Sequence, residues 1–212
     1  MAAYCGICEE VKGNYKNVEN GEYSSLVRSG ENIIFEEEEL CVIPSFGPLC
    51  VSHVMVVTKS HFNNFSLLSG YEDERVSNIL EKIRKYVRGK SGKEMVFFES
   101  GAGLLTNHSG GCVIHAHIHG VFYSECFERR VFEEIDMRPV IAGSEFDEEF
   151  GYVWYQGKDS NSYYCNKPLL PSQFLRFLYI EVGSGGSYWN WRRDIQVDNI
   201  YKVLGFYGGI NE

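Results

Sequence analysis

The chain is short of positive charge. Its 20 lysines and arginines are outnumbered by 29 aspartates and glutamates, which leaves a net charge of −9 over 212 residues. Duplex DNA and anionic membranes are held mainly by Lys and Arg, so neither is an expected partner. A small phosphorylated ligand held by local donors stays compatible with this balance. No apolar run approaches the ~20 residues that a membrane-crossing helix requires. The first residues, Met-Ala-Ala-Tyr-Cys, lack a basic stretch followed by an apolar one, the mark of a secretory signal. The seven cysteines are odd in number and do not form the spaced framework of a disulfide-rich secreted domain. A reducing, cytoplasmic compartment is the expectation. Histidine is scarce as well, with six in the whole chain, yet three of them fall within five residues.

What is present is ordinary for a soluble protein with a real core: 44% hydrophobic and 23% charged residues. The length suits one domain, or one domain with an extension. Short strands are expected at Ile33–Phe35, Leu40–Ile43 and Val51–Val57, separated by an acidic turn at Glu36–Glu39 and by the loop Pro44–Pro48. Asp73–Arg88 reads as a helix, because Val76, Ile79, Leu80, Ile83, Tyr86 and Val87 recur at three-and-four spacing and Gly89 offers a stop. Glu94–Glu99 reads as the next strand, followed by the glycine-rich loop Ser100–Gly111. Residues 11–30 read as polar and turn-rich. Beyond about residue 125 the character changes. A hairpin is expected from Tyr152–Tyr155 and Tyr163–Cys165, a helix over Pro171–Val182 with Ser172 as N-cap, and a short final helix near Ile195–Leu204. The expected division is therefore a catalytic unit, 1–125, and an extension, 126–212, packed on it.

The most informative stretch is Val-Ile-His-Ala-His-Ile-His-Gly-Val at 113–121. A strand sends alternate side chains to opposite faces, so His115, His117 and His119 would share one face while Ile114, Ala116 and Ile118 face the core. Neighbouring imidazoles would lie roughly 6–7 Å apart. Histidine titrates near neutrality, so an imidazole can be a free nucleophile and still be regenerated from a phosphoryl adduct. Gly110 and Gly111 would let backbone N–H groups approach a phosphate, with Asn107 and His108 within reach. Cys5-Gly-Ile-Cys8 has the spacing of a metal-ligand pair or of a redox pair, and the two residues alone do not decide between them.

These residues resemble the histidine-triad (HIT) family, over about residues 5–123. The likeness rests on the alternating histidines, on Phe35–His61 with its Ser-His53 and Val56-Val-Thr-Lys-Ser-His61, and on the Gly110-Gly111-Cys112 run. It implies an α+β fold, an antiparallel sheet with a packed helix, here followed by a C-terminal α/β extension. It also implies a nucleotide hydrolase that cleaves a phosphoanhydride, phosphoester or phosphoramidate at the α-phosphate. His117 would be the nucleophile, its tautomer fixed by the carbonyl of the preceding triad histidine, and His119 would contact the phosphate or assist the leaving group. Family members that transfer the nucleotidyl group often carry glutamine at the third position, so His119 favours hydrolysis. Some relatives complete a structural zinc site with two histidines, which here are His61 and His115 beside Cys5 and Cys8.

The resemblance further places Ile43, Ser45, Phe46, Glu99, Asn107, Gly111 and Cys112 around the substrate. Ser45 stands where a carboxylate grips the ribose, and Glu99 where an asparagine lies near the phosphate. The tail, through Tyr152-x-Trp154, Pro171-Ser-Gln-Phe-Leu-Arg176 and Trp189-Asn-Trp191-Arg192, resembles longer bacterial members. Gln173, Arg176 and Arg192 are its candidates for a ligand contact, the two arginines because the guanidinium pairs well with phosphate. Three rival readings stay open: a nucleotidyltransferase or phosphorylase, a metallohydrolase using two triad histidines, and a non-catalytic nucleotide-binding module. A homodimer is a further expectation.

Overall fold

The computed structural model describes residues 4–15, 21–67, 73–105, 109–111, 113–183 and 189–211. Among the described residues eight strands form one sheet in the order β1-β2-β3-β5-β4-β7-β8-β6, and every neighbouring pair is antiparallel. The strands are β1 (Phe35–Glu37), β2 (Leu40–Pro44), β3 (Val54–Thr58), β4 (Met95–Gly101), β5 (His117–Phe122), β6 (Arg138–Pro139), β7 (Tyr152–Gln156) and β8 (Ser162–Asn166). The helices are α1 (Gly6–Val11), α2 (Gly21–Ser29), α3 (Glu74–Ser91), α4 (Glu125–Glu134), α5 (Phe174–Val182) and α6 (Val197–Tyr207). The fold is α+β. Among the described residues no helix is long and apolar enough to cross a membrane.

Alternation along β4 sorts the layers. Met95 and Phe97 face α3 and α6 in a core that includes Val76, Ile79, Ile83, Val203 and Tyr207. Val96 and Phe98 face the opposite layer, with Phe127 and Val131 of α4 and Leu175 and Leu178 of α5. α3 follows its apolar stripe: Asp73 caps its start by accepting from Arg75 N–H, and Gly92, at φ 66°, closes it. The end falls at Gly92 rather than Gly89 because the left-handed C-cap, not glycine as such, stops the helix. α2 lies in a stretch whose sequence reads as polar and turn-rich, and α4 in one for which no element is expected. Their buried faces are short, Tyr23, Ser24, Leu26 and Val27 in α2, Phe127 and Val131 in α4. Ser172 is not the cap of α5; Gln173 precedes that helix at φ 64° and makes no side-chain cap bond.

The tail is continuous with the sheet. β7 pairs with β4 from Phe97↔Gln156 to Gly101↔Tyr152, and β8 pairs with β7 as the hairpin pattern predicts. Arg84, 3% exposed, pins the junction through Met95 O (2.6 Å), Gly157 O (2.8 Å) and Gln156 Oε1 (2.9 Å). A buried guanidinium satisfied by neutral oxygens is expensive to disturb, since any lost partner leaves charge-bearing N–H groups unpaired.

Candidate active site and metal-binding cluster

β5 runs between β3 and β4, with His119 opposite Met55 on one side and Phe98 on the other. Only glycine fits after His119, because a Cβ on Gly120 would stand 2.7 Å from the Phe97 ring. Strand geometry begins at His117, so His115 sits just before it and Ile114 is exposed rather than in the core. Ala116 and Ile118 are buried as the alternation requires. The rings of His117 and His119 lie 5.0 Å apart, edge to face, closer than strand rise alone gives because the imidazoles lean together.

His115 turns away from the other two and meets the N-terminus. Its Nδ1 lies 3.4 Å from Cys5 Sγ and 3.5 Å from Cys8 Sγ, and Cys8 Sγ lies 3.4 Å from His61 Nδ1. The four donor atoms all fall within 4.8 Å of one another. His115 Nε2 lies 2.8 Å from Thr58 O. A carbonyl only accepts, so the proton is on Nε2 and the Nδ1 lone pair faces the sulfurs, the arrangement of a metal-ligating histidine. Burial, with Cys5 beside it, pushes the Cys8 thiol up to about 11, and burial pulls His115 down to about 4. A divalent cation would reverse the thiol's preference, since a coordinated thiol is deprotonated. Two thiols and two imidazole nitrogens converging on one point fit a four-coordinate site.

His117 Nδ1 stands 2.5 Å from His115 O. The same reasoning puts the proton on Nδ1 and leaves Nε2 as a free lone pair. Its pKa is lowered, by burial first and also by the Arg176 charge, against the raising effect of the bond to the His115 carbonyl, which favours the neutral ring. His119 is set from the other side. Leu49 N–H donates to His53 Nδ1 at 3.0 Å, and His53 Nε2 lies 3.0 Å from His119 Nδ1. A backbone N–H can only donate, so His53 must carry its proton on Nε2 and give that bond to His119 Nδ1. His119 is thereby left with its proton on Nε2. Both rings are held well below the ordinary imidazole value, first by burial, with Arg176 adding to it. The pair thus presents one acceptor nitrogen, on His117, and one donor N–H, on His119.

Both histidines line a cavity of about 250 Å³. Ser45, Phe46 and Gly111 of the expected substrate set line it too, as does Arg176 from α5. Arg176 is 3% exposed and hydrogen-bonds Ser45 Oγ (3.1 Å), Gly47 O (2.6 Å), Phe46 O (3.1 Å) and Trp189 O (2.9 Å). It therefore fixes the β2–β3 loop as well as facing the cavity.

Three expected contacts are corrected. Ile43 packs with Ile7, Cys41, Met55 and Val57 beneath the wall and does not line the cavity. Glu99 points to the opposite face of β4, where it accepts from Tyr152 OH (2.7 Å) and Phe65 N–H (3.2 Å); Ser100 takes its place on the cavity side. An offset of one residue in a strand reverses every side chain, which is why the aligned position misled. Arg192 is exposed beside Trp191, outside the cavity lining, although Trp191 itself is part of it. Asn107 and Cys112 lie outside the described residues. Gln173, a tail candidate beside Arg176 and Arg192, lines the wall, and so do Tyr4, Glu10, Tyr15, Met55 and Phe98, which are not expected there from the sequence. Of these, Met55 and Phe98 were recoverable from pairing with the histidine strand; the others reach the site only through tertiary folding.

No protein-family model and no curated protein matches the sequence. Solved structures similar to the chain include three histidine-triad proteins. One is a hypothetical histidine triad nucleotide-binding protein from Sulfolobus tokodaii, with 16% identity over 57% of this chain and 70% of that one and a TM-score of 0.41. The second is a zinc-bound histidine triad family protein from Mycobacterium smegmatis, with 16% identity over 57% and 76% and a TM-score of 0.38. The third is a HIT family hydrolase from Legionella pneumophila, with 18% identity over 58% and 96% and a TM-score of 0.38.

Proposed function

We propose that the protein is a nucleotide hydrolase of the histidine-triad type, working through a nucleotidyl–His117 intermediate, with structural zinc held by Cys5, Cys8, His61 and His115. The observation that carries this reading is the bond from His117 Nδ1 to His115 O, which leaves Nε2 lone-paired at the wall of a cavity. In the first step Nε2 attacks the α-phosphorus, the bond to the leaving group breaks, and the ring becomes positively charged. The His115 carbonyl stabilises that charge through the Nδ1 proton it already holds. His119 Nε2–H, locked in place through His53, donates to a phosphate oxygen. Gly110, at φ 79°, and Gly111 bring backbone to the cavity wall without side chains in the way. Arg176 adds a fixed positive charge for the phosphate. In the second step water attacks phosphorus, the P–Nε2 bond breaks, one water proton stays on the phosphate and the other passes to solvent.

Zinc, when bound with all four positions filled by protein, would tie the N-terminus to the active strand rather than act on substrate. The test is to incubate wild type and His117→Asn with a panel of radiolabelled adenylyl and guanylyl anhydrides, esters and amidates, quench rapidly, and identify both products and protein-bound label. Acid-labile label on the wild type that is absent from the variant supports the mechanism. Release of a nucleotide monophosphate marks hydrolysis, and transfer to an added phosphate would mark the transferase reading instead.

A further inference from the structure

The metal-binding cluster and the substrate cavity share an element. Cys5 immediately precedes α1 and Cys8 lies in it, while Tyr4, Gly6, Ile7, Glu10 and Tyr15, from the same stretch, line the cavity. α1 has six residues and no side-chain cap at its N-terminus. A helix of that length does not persist alone, so its place depends on its attachments. These are the Cys5 and Cys8 contacts with His61 and His115, the packing of Ile7, and the Tyr23 hydroxyl donating to buried Glu10. Across from α1, Phe46 stands 5.7 Å from Tyr15 and 5.7 Å from Trp191, and all three rings reach the wall. Planar, apolar walls of this kind suit a stacked heterocycle.

We propose that metal occupancy of the Cys5/Cys8/His61/His115 cluster and binding of a nucleoside base against the Tyr4–Tyr15 wall are thermodynamically linked, each holding α1 where the other needs it. The identity of the ligand as a nucleoside rests on the proposed function; the linkage rests on the shared helix. Linkage is reciprocal: the factor by which zinc improves nucleoside affinity equals the factor by which the nucleoside improves zinc affinity.

The experiment uses the full-length protein with zinc and adenosine, a probe without phosphate. Adenosine affinity is measured by calorimetry on zinc-loaded and metal-stripped protein. Zinc affinity is measured by chelator competition with and without saturating adenosine. The expected result is a change of at least fivefold in both, of equal size. Equal adenosine affinity with and without zinc in folded protein overturns the proposal, as does purified protein that holds no zinc. Should the stripped protein unfold, the loaded protein decides. Saturating adenosine then slows zinc transfer to the chelator at least fivefold in wild type and less than twofold in Tyr15→Leu, and equal slowing in both overturns the proposal. A protein that shows the linkage yet forms no nucleotidyl-histidine would sink the hydrolase reading alone. Failure to bind adenosine at all sinks the linkage, while His117 labelling decides the hydrolase reading by itself.

Discussion

His53 holds His119 by a 3.0 Å contact between His53 Nε2 and His119 Nδ1, both fully or nearly buried. The direction of that bond is dictated four residues before His53, by the N–H of Leu49. A main-chain donor thus decides, through two imidazoles, which nitrogen of His119 offers a proton to the cavity.

Replacing His53 should therefore cost activity though it does not line the cavity. His53→Phe removes both bonds of the relay and should lower kcat by about 10²-fold, comparable to losing one preorganised donor. It should also cost about 1–3 kcal/mol in stability for the polar groups left unpaired. His53→Gln can still donate an amide N–H toward His119 and should fall between the two. Steady-state kinetics beside thermal melts check this, and wild-type kcat in His53→Phe would remove the relay from the mechanism.

His117→Asn should retain the fold and lose turnover by about 10⁴-fold or more, the scale for deleting a nucleophile from an assembled site. Rapid-quench labelling is the direct measurement. Persistent label in this variant would assign attack to another residue.

Elemental analysis of protein purified without chelator should find about one zinc per chain, from the four-ligand requirement. Joint replacement Cys5→Ser and Cys8→Ser should lower zinc content and melting temperature together, because binding energy at a structural site is folding energy. Metal retained at full stoichiometry in the double variant would disprove the ligand set.

The two tail arginines should separate. Arg176→Lys keeps the charge but cannot reproduce the fork that reaches Ser45, Gly47 and Trp189, so both kcat/KM and melting temperature should fall. Arg192→Ala, at an exposed position off the cavity wall, should leave kcat/KM within about twofold, as surface substitutions usually do. Equal losses at both sites would contradict the placement of the cavity.

Asp73→Ala should cost about 1 kcal/mol by removing the N-cap of α3. The Arg75 side chain and the backbone N–H hold the Asp73 carboxyl below the ordinary carboxylate range. A depressed folded-state pKa contributes stability that is complete above the unfolded value, about 3.9, and is lost as pH falls through the lower folded value. The gap in stability between wild type and variant should accordingly hold at neutral pH and narrow below about pH 4. A gap independent of pH in acid melts would assign the capping energy elsewhere.

The histidine strand, the amphipathic α3 and the β7–β8 hairpin were legible because each is written in a local period. Cys5, Cys8, His61 and His115 could be named as a set only through resemblance, since their spacing of 110 residues from first to last carries no periodic signal. Glu99 shows the limit of that route. A one-residue offset within β4 sent it to the far face, where Tyr152 and Phe65 satisfy it. Arg176 was recoverable as a candidate from its residue type, whereas its hold on the loop after β2 is visible only once α5 is packed. Tyr4 and Tyr15 had no local mark at all. They arrive at the cavity because distant segments fold over it.

The pairing of β7 with β4 bears on how the chain can be cut. β4 is seven residues long and carries Phe97 and Phe98, and the hairpin of the extension covers its outer side along five paired positions. At the far ends of the sheet stand β1, with Glu36 and Glu37, and the two-residue β6, with Arg138 and Pro139. Short, charged or proline-bearing borders of that kind discourage chain-to-chain pairing. A fragment ended near residue 125 would keep β1 but exchange the β6 border for a long, apolar, unpaired ladder on β4, a template for intermolecular β-pairing. The extension is in this sense a built-in chaperone for β4, the strand that flanks the histidine strand.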